Sequence, residues 1–384
     1  VTMLPAALSA DHRRSMPRMK ISHVETCLLR LPYGDASAPR QGPTNWPTLD
    51  YVLVRIDTDA GITGWGDAFA YGVPLATKAA VDHTIAPLLI GKDATQIAEL
   101  SYFLQQANHL WGRYGVTLFA ISGVDIALWD IAGKAAGLPL HRLFGGARRE
   151  QIPAYASLFR YGDPERVAAR SHQALDEGYT HIKLHEIRTS EVRAARQAIG
   201  DGVPLMVDTN CPWTPLQALE MARAFKAYDL HWLEEPLFPP EDYTSLARLQ
   251  RDVGIPLAAG ENACTVFDFQ KMIAADAVTY LQPSVTKVGG ISEFRKVLAL
   301  AQAHGQAVAP HTPYYGPGLL ASLHLLATMP DDSMVEILCV DGLEATPYGN
   351  ATAAHAGVLV VPQGPGLGFD PDPDVLKDYA QSGK

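Results

Sequence analysis

In His181-Ile-Lys-Leu-His185, Leu205-Met-Val-Asp208 and His231-Trp-Leu-Glu234, a short apolar run ends in an ionisable residue. The pattern extends along the C-terminal half of the chain, where a polar residue recurs roughly every 25 residues, at His185, Asp208, Glu234, Glu261, Ser284, His311 and Glu336. A (β/α)8 barrel uses about 25–30 residues for each strand–loop–helix–loop unit, and its active site lies at the carboxyl ends of the strands. The spacing therefore predicts one pocket that seven strand ends share.

Strand-like and helical segments alternate from Gln151 to about Val340. The intervening segments, such as Pro164–Glu177 and Pro215–Ala227, have the length of helices. The predicted strands are Ile152–Ser157, His181–His185, Leu205–Asp208, His231–Glu234, Leu257–Gly260, Tyr280–Gln282, Ala307–Pro310 and Met334–Glu336. Apolar strands that alternate with helices indicate a parallel sheet. Eight units favour closure, so the predicted fold class is α/β with a C-terminal (β/α)8, TIM-like barrel.

The N-terminal part of the chain is predicted to be a separate α+β domain. Strand-like segments at Lys20–Leu31 and Tyr51–Asp57 flank a long loop at Pro32–Thr48, and Asp59-Ala-Gly61 is typical of a hairpin turn into Ile62–Trp65. Helical periodicity follows in Leu75–Leu89, Asp93–Leu110 and Val116–Ala136. The predicted division is a tail at 1–18, the α+β domain at 19–146, the barrel at 147–350 and a segment at 351–384 that returns to the first domain.

Composition excludes several classes of function. The chain has 384 residues, of which 47% are hydrophobic, and a net charge of −10, so nucleic acid and anionic membranes are poor partners. No apolar run approaches transmembrane length. The four cysteines form no CxxC pair, which argues against a disulfide framework and a zinc knuckle. Free thiols, together with an apolar Met3–Ala10 patch that precedes its arginines instead of following them, predict a cytoplasmic protein without a secretory signal.

Three carboxylates end consecutive predicted strands. Asp208, Glu234 and Glu261 end strands three, four and five, and carboxylates directed at one spot repel each other unless a cation neutralises them. Oxygen ligands alone suit a hard ion, Mg²⁺ or alternatively Mn²⁺. A helix cap or surface salt bridge explains one such residue well, but explains three at successive units poorly. Strand alternation leaves open whether Glu234 or Glu235 faces the pocket.

Candidate proton-transfer groups lie on both sides of these carboxylates. Lys183 and His185 are two residues apart on strand two and share a face. A lysine inside a barrel needs anionic partners, which the carboxylates and an acidic substrate would supply. His311 ends strand seven, so the two histidines can address opposite faces of a bound substrate. This arrangement suits removal of a proton next to a carboxylate, with a metal and Lys183 stabilising the developing charge.

Several motifs resemble those of the mandelate racemase/muconate lactonizing enzyme family of the enolase superfamily, in particular its mandelate racemase-like branch. They are Val207-Asp208-Thr-Asn210, Trp232-Leu-Glu234-Glu235-Pro236, Gly260-Glu261-Asn262, Lys287-Val-Gly289-Gly290-Ile291, Pro310-His311, Gly61-Ile-Thr-Gly-Trp-Gly66 and Ala120–Gly133. The resemblance spans nearly the whole chain from Met19. It implies that Asp208, Glu234 and Glu261 bind Mg²⁺. It also implies that the first domain caps the barrel mouth, that Pro32–Thr48 helps to select the substrate, and that Glu336, if protonated, donates a hydrogen bond to the substrate carboxylate.

The chain departs from the family pattern at two positions. The family's Lys-x-Lys motif is Lys183-Leu-His185 here, so a histidine replaces the usual lysine base, and mere substrate binding by His185 is the alternative. At Ser284 the racemase-like members carry an aspartate that pairs with the histidine of strand seven, and the lactonizing members carry a catalytic lysine. Ser284 can do neither, which disfavours lactonization. It also leaves open whether His311 transfers a proton or is a structural histidine.

The sequence also suggests substrate-binding residues, although packing or surface placement explains each of them as well. Arg160 and Tyr161 follow strand one and are candidates for clamping a distal carboxylate or hydroxyl. Tyr314 follows His311, and Trp46 lies in the long loop of the first domain. Asn210 follows a metal-ligand candidate and is expected to support it or to contact substrate.

The resulting expectation is a Mg²⁺-dependent enzyme that removes the α-proton of a small carboxylate substrate through an enolate. Dehydration of a sugar acid or another hydroxy acid ranks first, and racemisation or epimerisation at the α-carbon ranks second. A barrel that binds an acidic metabolite without catalysis is the third interpretation. Substrate identity and stereochemistry stay open, and a homo-oligomer is expected from the resemblance alone.

Overall fold

The computed structural model describes residues 18–34, 48–329, 333–343 and 345–381. Trp46 and almost all of the predicted loop Pro32–Thr48 lie outside these residues, as does nearly all of the predicted tail. The described residues contain one antiparallel sheet of three strands and a second sheet of nine strands. The division of the chain at 146 and 350 stays a prediction.

The three-stranded sheet is formed by β1 (Ile21–Pro32), β2 (Thr48–Thr58) and β3 (Thr63–Ala68), in that order. The predicted hairpin turn is present, because Thr58 N donates to Ile62 O at 3.0 Å and Gly61 adopts a φ of 75°. A positive φ is easily reached only by a residue without a Cβ. The turn places β3 antiparallel to β2, with Val54 opposite Gly66.

Six helical segments follow this sheet in the described residues before the second sheet begins, and some of them pack against it. They are α1 (Pro74–Ala79), a π-helical turn (Ala80–Ile85), α2 (Ala86–Leu89), α3 (Ile97–Ala107), α4 (Val116–Ala136) and α5 (Leu140–Leu143). Helix α4 approaches β3 so closely that a Cβ added to Gly66 would lie 1.8 Å from Gly123 O. Paired glycines therefore allow the helix and the sheet to pack backbone against backbone.

Helix α4 is long and apolar enough to cross a membrane by length and composition. The expectation that no apolar run approaches that length is therefore wrong for this segment. In the structure 72% of its 18-residue apolar window is buried, as in the core helix of a folded domain.

The nine-stranded sheet contains all eight predicted barrel strands. They are β4 (Gln151–Ser157), β5 (Ile182–Leu184), β6 (Leu205–Asp208), β7 (Leu230–Glu234), β8 (Leu257–Ala259), β9 (Tyr280–Leu281), β10 (Ala307–Val308) and β11 (Val335–Leu338). Parallel ladders join β4 through β10 in sequence, and β11 pairs in parallel with β4. Seven helices follow the first seven strands: α6 (Pro164–Asp176), α7 (Thr189–Ile199), α8 (Pro215–Phe225), α9 (Tyr243–Val253), α10 (Thr265–Ala274), α11 (Gly290–His304) and α12 (Pro317–Leu326). The predicted fold class, a TIM-like barrel with an N-terminal α+β domain, is confirmed.

Side-chain hydrogen bonds join strands seven and eight, between which the described residues show no backbone ladder. Thr312 Oγ1 donates to Glu336 O at 3.0 Å and accepts from Glu336 N at 2.8 Å. Thr312 N also donates to Glu336 Oε2 at 3.3 Å. One threonine therefore joins the last two strands at the level of the candidate site.

The eighth strand differs from the predicted eight strand–helix units, because in the described residues no α-helix lies between it and the next strand. A 3₁₀ turn (Gly349–Thr352) leads instead to β12 (Val358–Val360), which pairs antiparallel with β4. The last helix, α13 (Pro373–Tyr379), lies against β1, where Gln381 N donates to Leu28 O at 2.8 Å. The C-terminal segment thus contacts both sheets.

A layer of buried side chains, large ones and alanines, fills the lower part of the barrel interior. It consists of Tyr155, Met206, Trp232, Ala258 and Ala309. Trp232 Nε1 donates to Glu234 Oε2 at 2.9 Å, so this layer supports a carboxylate above it. The packed floor places the polar strand ends in one pocket at the carboxyl end of the barrel.

Candidate active site

The three predicted metal ligands converge at the carboxyl ends of neighbouring strands. Asp208 and Glu234 are the last residues of β6 and β7, and Glu261 lies two residues beyond β8. One carboxylate oxygen from each lies within 4.8 Å of the others. Asp208 and Glu234 are fully buried, and the side chain of Glu261 is 14% exposed. Three carboxylates held this closely in a low-dielectric interior require neutralisation.

The donor set fits a hard divalent cation. All three converging ligands are carboxylate oxygens, the ligand type that Mg²⁺ prefers. Oδ2 of Asp208 accepts no well-oriented hydrogen bond from the described residues, so it is available to a cation. Burial raises the pKa of Glu234 well above its usual value, and the charges of Asp208, Glu336 and Glu261 add to the effect of burial while Lys183 opposes it.

Lys183 compensates part of this negative charge. Its ammonium lies 2.6 Å from Glu336 Oε1, 3.0 Å from Glu234 Oε1 and 3.7 Å from Asp208 Oδ2, and the side chain is completely buried. Burial lowers the pKa of Lys183, but the charges of Glu234 and Glu336 outweigh it and raise the pKa well above its usual value. Lys183 is therefore a permanent cation beside the three carboxylates.

His185 directs one ring nitrogen into the pocket. Nδ1 lies 2.6 Å from Leu158 O, which can only accept, so the proton of the neutral ring is on Nδ1. Nε2 then faces Asp208 Oδ2 at 3.2 Å. Burial raises the pKa of Asp208, but the neighbouring His185 and the charge of Lys183 outweigh it and lower the pKa. His185 thus presents Nε2 to the pocket, next to the carboxylate of Asp208.

His311 approaches the carboxylates from the other side. Its Nε2 lies 2.7 Å from Glu261 Oε2, whereas the Nε2 of His185 lies beside Asp208. Burial raises the pKa of Glu261, but the charges of His311 and Lys287 and the hydrogen bond from His311 outweigh it and lower the pKa. The structure therefore brings two imidazoles to opposite sides of the cluster of three carboxylates.

Glu235 points away from the three carboxylates. Its carboxylate accepts hydrogen bonds from Asn262 Nδ2 at 2.6 Å and Cys211 Sγ at 2.9 Å. Burial raises its pKa to about 7, and Glu261 adds to the effect. The choice that strand alternation left open is resolved in the geometry, because Glu234 joins the cluster and Glu235 ties together the loops that follow β6 and β8.

Arg160 and Asn210 hold the strand ends in place. Arg160 donates from Nε to His185 O at 2.5 Å and from Nη2 to Thr209 O at 3.0 Å and Asn210 Oδ1 at 3.1 Å. Asn210 in turn donates from Nδ2 to Asp208 Oδ1 at 3.0 Å. These contacts fix the ends of β5 and β6 and the orientation of Asp208, so both residues support the site, and their predicted contact with substrate stays a prediction.

Two other predicted substrate-binding residues point elsewhere. The Tyr161 hydroxyl accepts from Arg170 Nε at 3.3 Å, and Arg166 lies over its ring, so this side chain packs on α6. Tyr314 is buried, and its hydroxyl contacts Ser284 and His311 instead of opening to the pocket. Residues in the loop beyond a strand end are easily misplaced. The spacing of the strands fixes the position only of the residues at the strand end itself.

Sequence reasoning missed a buried cation at the rim of the pocket. Lys287 is largely buried, with Nζ 4.8 Å from the centre of the Phe69 ring and 3.5 Å from Asn262 Oδ1. Phe69 comes from the chain just beyond β3, so this contact joins the first sheet to the barrel. Lys287 is part of the Lys287-Val-Gly289-Gly290 motif that the sequence shows. The sequence does not reveal its contact with Phe69, because the two residues are far apart in the chain.

Matches to family models cover most of the chain. Residues 166–375 match the model described as "Enolase C-terminal domain-like". Residues 42–145 match the N-terminal domain model of the mandelate racemase/muconate lactonizing enzymes. With the barrel and its acidic strand ends, these matches show that the chain belongs to the mandelate racemase/muconate lactonizing enzyme family of the enolase superfamily. The resemblance seen in the sequence is confirmed.

Particular members of the family resemble the chain over nearly its full length. It is 32% identical to D-galactarolactone cycloisomerase of Agrobacterium fabrum, over 94% of this chain and 99% of that protein. It is 33% identical to 3,6-anhydro-α-L-galactonate cycloisomerase of Streptomyces coelicolor, over 95% and 99%. It is 31% identical to arabinonate dehydratase of Saccharolobus solfataricus, over 86% and 91%.

Solved structures also resemble this chain over nearly its full length. The 3,6-anhydro-D-galactonate cycloisomerase of Zobellia galactanivorans superposes with a TM-score of 0.84 at 30% identity, covering 94% of this chain and all of that one. A mandelate racemase/muconate lactonizing protein of Paracoccus denitrificans, solved in complex with magnesium, also gives a TM-score of 0.84, at 27% identity over 94% and 98%. The chain is thus an enzyme of this family.

Proposed function

We propose that this protein is a Mg²⁺-dependent lyase that removes the α-proton of a hydroxylated carboxylic acid and expels the oxygen substituent on the β-carbon. The observation that carries the proposal is the placement of His185 and His311 at Asp208 and Glu261, on opposite sides of a buried carboxylate cluster. A substrate between the two imidazoles meets one on each face. Such a site suits a reaction that takes a proton from one carbon and assists a leaving group on the next.

The substrate carboxylate would lie against the cations of the site. Mg²⁺ held by Asp208, Glu234 and Glu261, with Mn²⁺ as an alternative, would polarise the substrate carboxylate. Lys183 adds a fixed positive charge in the same pocket and stabilises the negative charge that develops on the carboxylate oxygens as the α-proton leaves. Glu336 shares the Lys183 ammonium and completes this end of the pocket.

His185 is the proposed base. Its Nδ1 is bound to Leu158 O at 2.6 Å, which leaves the Nε2 lone pair directed at the pocket. When Nε2 takes the α-proton, the electron pair of the carbon–hydrogen bond moves toward the substrate carboxylate, which gives an enolate. The pair then forms the second bond between the α- and β-carbons as the bond from the β-carbon to oxygen breaks. His311 lies on the other side, where its Nε2 donates to the departing oxygen. Dehydration releases that oxygen as water, and the enol product then rearranges to a 2-keto acid.

A second candidate reaction follows from the relatives. Two of the most similar proteins are named cycloisomerases, of a lactone and of an anhydro sugar acid, and others are named sugar-acid dehydratases. A ring oxygen on the β-carbon leaves by the same electron movement as a hydroxyl group, but stays attached to the product. We therefore propose sugar acids and their lactones or anhydro forms as the substrate class, with dehydration first and cycloisomerisation second.

One experiment tests the proposal. The Mg²⁺-loaded protein is incubated in D₂O with a panel of aldonic and aldaric acids, their lactones and anhydro acids, and product is followed by NMR and by a keto-acid assay. Loss of the α-hydrogen together with a new keto acid supports elimination. Exchange of the α-hydrogen without keto acid, on any member of the panel, would show racemisation or epimerisation instead. His185→Asn is the control, since its amide is not a base, and it is expected to lose both signals.

The cellular setting completes the proposal. The four cysteines are free in the structure, which supports a reducing, cytoplasmic compartment. We also propose a homo-oligomer, with the barrel and the α+β domain divided near residue 146. Light scattering on the purified protein tests whether it is a homo-oligomer. Limited proteolysis tests whether the two domains divide near residue 146.

A further inference from the structure

A second cavity lies at the amino end of the barrel, opposite the candidate active site. It has a volume of about 710 Å³. Among its lining residues are four that begin a strand or directly precede one: His181, Tyr280, Ala307 and Met334. The carboxylate cluster lies where the strands end, so this cavity opens at the other end of the same barrel. Its volume is within the range of about 300–1,000 Å³ that is typical of small-molecule sites.

The packed floor of the barrel separates this cavity from the active site. Trp232 and Ala309 belong to the floor layer, and both also line the cavity. Tyr155, in the same layer, is completely buried and packs edge-on against Trp232, with ring centroids 5.8 Å apart. The described residues that line the cavity include neither of the two active-site histidines and none of the three converging carboxylates. The cavity is therefore separate from the proposed substrate pocket.

Aromatic rings form part of the cavity wall. The rings of Trp232 and Tyr280 lie 5.0 Å apart, and the ring of His231 lies 5.2 Å from the first and 5.6 Å from the second. Gly305 and Ala307 also line the cavity, and residues this small leave space beside the rings. Aromatic molecules pack against such rings in offset-stacked or edge-on arrangements. The shape of the wall thus favours a flat ring as the occupant.

The cavity offers polar groups but no fixed charge. None of the described residues that line it is an aspartate, glutamate, lysine or arginine. Burial lowers the pKa of His181 and of His231, which favours their uncharged forms. The amide of Gln306 lines the cavity, and its buried Oε1 accepts no hydrogen bond from the described part of the chain. A charged ligand would lose its hydration here without gaining a counter-charge, whereas an uncharged amide can both donate to and accept from Gln306.

We propose that the amino end of the barrel is a second binding site, for a flat, uncharged aromatic molecule with an amide-like polar edge. The ring of the ligand packs against Trp232 and Tyr280, and its polar edge forms hydrogen bonds with Gln306. Trp232 also donates from Nε1 to Glu234 Oε2 at 2.9 Å, so the occupant lies against the side chain that supports a carboxylate of the candidate metal centre. The site goes beyond the proposed function, since none of its residues takes part in the proposed elimination.

Benzamide is the probe for this site, because it is flat and uncharged and carries an amide. Saturation-transfer NMR of the ligand, with the Mg²⁺-loaded protein, measures its affinity. Benzoate has nearly the same shape but a negative charge, and is the matched control. Benzamide is expected to bind, and an equal concentration of benzoate should fail to displace it. Absence of benzamide binding, or its displacement by benzoate, would overturn the proposal.

Variants of the protein locate the bound probe. Ala307→Leu adds bulk inside the cavity and should weaken benzamide binding at least about 5-fold. Gln306→Leu keeps the size of the side chain but removes the amide, and should weaken binding roughly 3- to 10-fold. Gln96→Leu, at an exposed glutamine of the first domain, is the matched control and should bind benzamide like the wild type.

His185→Asn tells the cavity apart from the active site. This substitution changes the pocket on the other side of the floor, so benzamide should bind the variant as it binds the wild type. Thermal denaturation checks that every variant is folded. Unchanged binding by Ala307→Leu, or loss of binding in His185→Asn, would overturn the proposed site, whatever reaction the enzyme catalyses. Unchanged binding by Gln306→Leu would overturn the role given to its amide.

Discussion

The ammonium nitrogen of Lys183 lies 2.6 Å from Oε1 of Glu336, and both side chains are fully buried. The pair joins strand two to strand eight across the interior of the barrel. Desolvation of two charges is costly, and removing one partner of a buried pair leaves the other uncompensated. Because Glu234 shares the same ammonium at 3.0 Å, loss of Lys183 would leave two carboxylates without their cation.

Lys183→Met should therefore destabilise the protein and abolish activity. Methionine fills similar space but carries no charge, so the expected loss is about 3–5 kcal/mol of unfolding free energy in the absence of Mg²⁺. Urea denaturation with and without Mg²⁺ measures it. The double variant Lys183→Met/Glu336→Gln removes one of the two uncompensated charges and should recover part of the stability but none of the activity. An active Lys183→Met enzyme would contradict the role given to the ammonium.

Thr312→Val should weaken the join between strands seven and eight. The substitution keeps the shape of the side chain but removes the hydroxyl that bonds both Glu336 O and Glu336 N. Leaving these buried backbone groups unpaired costs about 1–3 kcal/mol. Thermal denaturation measures the effect, with Thr180→Val, at an exposed hydroxyl, as the control. Equal stabilities of the two variants would indicate that another contact closes the barrel.

Asp67→Asn should remove a pH dependence of stability. Asp67 is buried between the first sheet and α12, where it accepts from Gly318 N at 3.3 Å, and burial raises its pKa from 3.8 to about 7. A raised pKa in the folded state means that the wild type loses stability as the pH rises from about 4 to about 7. Asn carries no charge, so the variant should be more stable than the wild type at pH 8, by about 1–3 kcal/mol, and the difference should vanish near pH 4.

Urea denaturation at a series of pH values checks this difference. Asp176→Asn is the surface control, because its side chain is 70% exposed. A wild type that is as stable as Asp67→Asn at pH 8 would show that the buried carboxyl finds a compensating partner when ionised.

Much of the barrel was predictable because its sequence period is imposed by geometry. Each strand has to bring one side chain to the pocket and the next to the helix layer, so Lys183 and Asp208 could be placed from alternation and spacing alone. Alternation left the choice between Glu234 and Glu235 open, and only the family resemblance pointed to Glu234. Even the weak strands β9 and β10, with two residues each, were found from their position in the repeat. A repeat cannot predict a unit that departs from it. The sequence therefore did not predict that, in the described residues, a 3₁₀ turn and β12 follow the eighth strand in place of a helix.

Contacts beyond the strand ends could not be predicted. The partner of Ser284 is Tyr314, from the loop after the next strand, and the path of that loop depends on the docking of Tyr71 and on the absence of a Cβ at Gly318. Tyr161 lies just four residues beyond the end of β4, yet its side chain turns to α6. Loop paths are set by long-range packing, which no local pattern encodes.

Titration calorimetry with Mg²⁺ tests the metal centre most directly, on the wild type and on the neighbouring variants Glu234→Gln and Glu235→Gln. The two glutamates are adjacent in sequence, but only the first joins Asp208 and Glu261. One Mg²⁺ per chain is expected to bind the wild type and Glu235→Gln, with a matching rise in thermal stability, and binding should weaken at least about 100-fold in Glu234→Gln, a loss of about 2.7 kcal/mol. Unaltered Mg²⁺ binding by Glu234→Gln would contradict a metal centre formed by these three carboxylates.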